Sequence, residues 1–199
     1  MGRPYGWSPV RTVGTSAAPV AVVAAVPVRC HARFVRPSLF EFAGGEPAFL
    51  ALASAHHQRC LDDPELNHPF SHPGGNPQHI ERLAAYWAEV LGGPPIFSQQ
   101  CTDQSAMLQL HAGNGDMSDL GRRFVECFMQ AADDAGLPTD ADFRGALREY
   151  MEWSVAEVLA YPAPDAVVPA GLAMPHWSWD GLQTEDDASP IAADDEART

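Results

Sequence analysis

The sequence predicts an all-α fold: two pairs of long helices packed as a two-over-two sandwich around something flat. Three observations carry that expectation. Apolar residues recur at the 3.6-residue spacing of a helix in four long segments. Each segment is bounded by capping residues or by Gly and Pro. No segment alternates apolar and polar residues convincingly, as a half-buried strand would.

The elements follow in chain order. Glu46-Pro47 opens the first helix, since proline fits the first helical turn. Its apolar face reads Phe49, Leu52, Ala53, His56, His57 and Cys60, and Asp62-Asp63-Pro64 ends it. A short helical turn over Pro64–His68 leads to Phe70. After the Gly- and Pro-rich loop Ser71–Pro77, Asn76 is expected as N-cap and Pro77 as first residue of the second helix. That helix carries Ile80, Leu83, Ala84, Trp87 and Leu91 on one face, with His79 beside the stripe, and Gly92-Gly93-Pro94 stops it. Ser118-Asp119 starts a third helix with Leu120, Phe124, Cys127, Phe128 and Ala131 in register. Thr139-Asp140 starts a fourth with Phe143, Leu147, Met151, Val155 and Val158 in register. Between the two pairs lies a short apolar turn of helix, Ala106–Leu110, which ends at His111 and breaks into Ala112-Gly113-Asn114-Gly115-Asp116.

A chain of 199 residues with 46% hydrophobic content suits one domain with tails. The expected division is a leader over 1–38, disordered or arising from a mis-assigned start, a helical domain over 39–162, a Pro- and Trp-rich strap over 163–182, and a disordered acidic tail over 183–199. Residues 1–40 hold five arginines and no acid, whereas the remainder is strongly acidic. Ser16–Val28 is apolar enough to be read as a signal-peptide core, but its prolines, flanks and cleavage site fit that pattern poorly. The net charge of −14 repels phosphate backbones and anionic lipid, which argues against nucleic-acid or membrane partners. No apolar run is long enough to span a bilayer. All 12 basic residues are arginine; with abundant Ala, Gly and Pro this suggests a GC-rich bacterial genome. Cys30, Cys60, Cys101 and Cys127 form no C-x-x-C pair, so zinc ribbons and thioredoxin chemistry lack their spacing. Reduced thiols and a cytoplasmic setting are expected.

Read from the residues, His111 has two accounts. A histidine facing an apolar cleft at the end of a helix can be an axial ligand of a haem iron. It can equally be a hydrogen-bonded core histidine. His57 and His79 are open to the same two readings, His56 reads as structural at a helix interface, and Phe70, Leu83 and Phe124 would serve as core in any helical protein.

Five blocks in order carry a resemblance. They are Phe42-Ala43-Gly44-Gly45-Glu46-Pro47-Ala48-Phe49; Asp63-Pro64-Glu65-Leu66 with Pro69-Phe70; Glu81-Arg82-Leu83; Gly92-Gly93-Pro94 with Phe97-Ser98; and His111. Over about residues 39–162 the chain resembles the truncated haemoglobins, group II most closely. The resemblance implies a globin-like two-over-two helical sandwich binding haem b non-covalently, with His111 as axial ligand to the iron. It implies His57, Phe70, His79, Leu83 and Phe124 around the distal side, and Arg82 at a position that meets a haem propionate. The chain departs from the family at His57, where Tyr is common, at Phe124, where Trp is usual, and at Leu110, where Arg usually precedes the proximal histidine. The segment Cys101–Leu110 also diverges and carries an apparent extra residue.

Two function classes follow from the resemblance. One is reversible binding of dioxygen, nitric oxide or carbon monoxide at ferrous haem iron. The other is redox catalysis on the same haem, either nitric-oxide dioxygenation or peroxidase-type chemistry. It would need an external reductase, because the sequence holds no flavin or nicotinamide domain. A drifted, haem-less helical interaction module is the remaining alternative.

Overall fold

A computed structural model describes residues 36–71 and 76–184, and helices order the chain from Leu39 to Leu159. The expected leader and acidic tail fall almost wholly outside the described residues, as do Cys30, His31 and His72. Among the described residues there are eight helices and one small hairpin: α1 (Leu39–Ala43), α2 (Glu46–Asp62), α3 (Asn67–Phe70), α4 (His79–Val90), α5 (Ile96–Gln100), α6 (Gln104–His111), α7 (Ser118–Asp134), α8 (Ala141–Leu159), β1 (Trp177–Ser178) and β2 (Gly181–Leu182). The all-α expectation holds.

The long helices pair as expected. α2 packs on both α4 and α7, and α7 packs on α8. Their shared core draws on the apolar stripes read from the sequence, with Phe49 and Leu52 from α2, Trp87 from α4, Phe128 from α7, and Phe143 and Leu147 from α8, joined by Val90 and Tyr150 from outside those stripes. Ends are set locally. Ser38 and Glu41 form a capping box at α1, and the Asp140 side chain accepts from Phe143 N at the start of α8. Past α4 the chain reverses at Gly92, whose φ of +93° is the left-handed conformation that glycine adopts without steric cost. Across the α2–α7 contact, the Arg59 guanidinium holds Gln130 and both carboxylate oxygens of Asp134.

Four elements differ from the sequence expectation. The short turn of helix expected over Pro64–His68 lies at Asn67–Phe70 as α3. α4 begins at His79 rather than Pro77. Asn76 caps a turn instead, its side chain accepting from Gln78 N (2.9 Å) and its carbonyl from His79 N (3.0 Å). α5 was not expected. One of its N-terminal amides is satisfied from a distance, because buried Glu89 on α4 accepts from Ser98 N at 2.9 Å, while Ile96 N donates locally to Pro94 O. The strap is not wholly irregular: β1 and β2 pair antiparallel, with Trp177 opposite Leu182. Beside this hairpin, the Trp179 indole donates to the Pro37 carbonyl (2.7 Å) and lies under the Arg36 guanidinium, 3.3 Å from its carbon. Among the described residues no helix is long and apolar enough to cross a membrane.

Candidate haem-binding site

α2 delivers two adjacent histidines to different surroundings. His56 is fully buried, with its ring edge-on to Phe124 (4.4 Å between centroids) and Trp87 (5.3 Å). Desolvation lowers its pKa to about 4 against an opposing hydrogen bond with the Phe124 backbone, so the ring is neutral near pH 7. It is structural, as expected. His57 turns about 100° further round the helix and meets a different set: His79 at 5.3 Å and Phe70 at 5.9 Å.

His79 is the first residue of α4. Burial lowers its pKa first, and the proximity of His57, His111 and Arg82 acts in the same direction. Phe70, at the end of α3, lies 6.2 Å from His79 and stacks at 6.2 Å on Phe124 from α7. Two atoms in this group are buried without a hydrogen-bond partner among the described residues: His57 Nδ1 and His79 Nε2. Leaving such a donor or acceptor unmet costs about 1–3 kcal/mol, which makes paired orphans a mark of a site.

The remaining candidate ligand, His111, is carried by α6. Asp103 caps it, accepting from Ala106 N at 2.8 Å, and His111 is its last residue. The His111 Nδ1–H donates to the Met107 carbonyl at 2.9 Å, a backbone acceptor one turn back. That bond orients the ring and leaves Nε2 as the free lone pair. His111 is exposed, and Leu110 beside it is 78% exposed, an apolar side chain presented outward.

The expected site residues thus divide. His57, Phe70, His79 and Phe124 converge from four helices. His111 stands on a separate helix, within electrostatic reach of His79. Leu83, half-buried on α4 one turn after His79, packs against the core. Arg82 is half-buried with its guanidinium carbon 5.9 Å from the Phe97 ring, and among the described residues no carboxylate lies within ion-pairing distance of it. Sequence reasoning missed the polar face of α6. Ser105 and Gln109 hold the strap there, at helical spacing that would read equally as a solvated surface.

A sequence model described as "Bacterial-like globin" matches residues 38–153, more than half of the chain. No curated protein sequence matches significantly. Solved structures do. Group II truncated haemoglobin from Bacillus anthracis is 18% identical over 69% of this chain and 98% of its own, with a TM-score of 0.55. A thermostable haemoglobin from the actinobacterium Thermobifida fusca is 24% identical over 63% and 99%, at 0.53. Haemoglobin from the phototroph Chloroflexus aurantiacus is 21% identical over 62% and 98%, also at 0.53.

The cofactor that a globin implies is haem, and the residues present fit it. One imidazole is oriented with Nε2 open, two buried imidazole nitrogens are unpartnered among the described residues, Phe70 and Phe124 stack beside them, and a cation stands at Arg82. In fold the chain shares the truncated-haemoglobin architecture, and by sequence it belongs to the bacterial-like globin family.

Proposed function

We propose that this protein holds haem b non-covalently, with His111 Nε2 as axial ligand, and binds dioxygen and other diatomic ligands reversibly on the side of His57 and His79. One observation carries the reading: a single imidazole oriented by Met107 O lies within electrostatic reach of His79, which with His57 has a buried ring nitrogen unpartnered among the described residues. The absence of a C-x-x-C-H sequence supports non-covalent attachment. Haem supplies the iron and its open coordination position.

The chain's own residues do the rest. The Nδ1–H bond of His111 fixes its tautomer and ring plane, which keeps Nε2 basic. Phe70, Leu83 and Phe124 exclude water from the opposite side. Phe124 carries no donor, so hydrogen bonding to a ligand falls to His57 and His79. Burial keeps His79 neutral, and a neutral imidazole offers one N–H donor without placing a cation in an apolar cleft. Arg82 supplies the positive charge for a propionate.

Absorption spectra test the reading. Hemin-reconstituted protein should give an intense Soret band with distinct ferric, ferrous and carbonmonoxy forms, and His111→Ala should lose it. A chain that remains colourless with hemin, or an unaltered spectrum in His111→Ala, refutes the assignment.

A further inference from the structure

The helix that carries His111 has two working faces. Residues two apart on a helix lie about 200° apart around its axis, whereas residues four apart share a face. Met107 and His111 therefore form one face of α6, and Ser105 and Gln109 form the face behind it. That rear face is held by the strap. Gln109 Oε1 accepts from Val168 N at 3.0 Å and its Nε2 donates to Ala166 O at 3.4 Å, while Ser105 Oγ accepts from Leu172 N at 3.0 Å.

The grip continues past the histidine. Gly113 N donates to Tyr161 O and Gly115 N to Pro162 O, both at 2.9 Å. Gly113 adopts a φ of +81°, a left-handed conformation that glycine takes without steric cost, where its N–H meets the strap. The strap is itself anchored, with Val168 7% exposed and Trp177 in the core cluster at 8%.

We propose that residues 161–172, outside the matched family region of 38–153, are a clamp that sets the orientation of His111, with Gln109 as its main positioning residue. The proposal rests on His111 being the axial ligand. An isolated helix of eight residues is marginal in water. Hydrogen bonds before and after His111 hold the last turn of α6 and thereby the Met107 carbonyl that aims the ring.

The test uses the full chain reconstituted with hemin, in wild type, His111→Ala, Gln109→Ala, Gln109→Glu and Ser105→Ala. Three readouts are taken: the low-frequency iron–imidazole Raman band of the ferrous form, the rate of hemin transfer to excess apomyoglobin, and the melting temperature. Gln109→Ala should shift or broaden the band and speed hemin loss about fivefold, the effect of one net hydrogen bond. Ser105→Ala should act in the same direction and more weakly, and it serves should Gln109→Ala not fold. Gln109→Glu keeps the acceptor for Val168 N and should return toward wild type. If His111→Ala abolishes the band while Gln109→Ala and Ser105→Ala leave band and rate unchanged, the clamp is refuted and the axial assignment stands. A lowered melting temperature with an unmoved band also refutes it, by showing a merely structural role. Survival of the band in His111→Ala removes the axial assignment, and the clamp with it.

Discussion

Around His57 and His79 the chain is held by buried side chains drawn from four helices. Around His111 it is held by hydrogen bonds from a strap to the back of one short helix. The first wall rests on packing, in which neighbours are interlocked and a lost side chain leaves a void. The second rests on separable polar contacts, each of modest net worth. The contrast teaches that one site can combine a stiff face with an adjustable one. Such an arrangement lets the orientation of His111 be tuned without repacking the residues opposite it.

The comparison breaks most visibly in the packed wall. Phe128 is fully buried against Trp87 (5.0 Å) and His56 (6.1 Å). Phe128→Ala should cost about 3–5 kcal/mol in denaturant unfolding, from lost burial plus the cavity left behind. A cost below about 1 kcal/mol would mean that this wall is not held by packing.

Acid should attack the same wall next. The folded pKa of His56 is about 4 against 6.5 unfolded, so between those values the unfolded chain binds more protons. Its contribution is complete above pH 6.5 and declines as pH falls toward 4, on the order of 3 kcal/mol in all. His79 is shifted in the same direction and adds to the slope. Urea unfolding across this range should show the loss, and His56→Leu should flatten it; an equal slope in that variant would locate the effect elsewhere.

Ligand release probes the orphaned nitrogens. Hydrogen bonds of the stronger kind are worth roughly 1.5–3 kcal/mol, so His57→Leu or His79→Leu should speed oxygen dissociation about ten- to hundredfold. Stopped-flow rates unchanged in both variants would remove them as donors.

The smallest effect belongs to the adjustable face. Asp103→Ala removes the N-cap of α6 and should cost about 1 kcal/mol. Its sharper signature is faster amide exchange confined to α6 and the strap. Global acceleration would show that the two walls unfold as one.

Much of this was legible in the chain. The stripes through Phe49, Leu83, Phe128 and Leu147 report period and burial together, which a single sequence displays directly. Capping by Asp140 was also readable, because its partner lies three residues on. Elements whose satisfaction comes from afar were not readable. α5 depends on a carboxylate from another helix, Glu89, that looks like any charged helical residue. The β1–β2 hairpin has two-residue strands, too short to alternate. At the site, the order of His57, Phe70, His79 and His111 along the chain was informative, since helical spacing and breaks limit what each can face. The polar contacts of Ser105 and Gln109 were not, because a bond to a backbone more than fifty residues away leaves no local pattern.

The junction of Trp179 with Arg36 and Pro37 carries a last consequence. It fastens the stretch entering α1 to the turn of the hairpin, so the two edges of the described helical unit are tied to each other. Fraying, which in most domains starts independently at each terminus, would here have to release both at once.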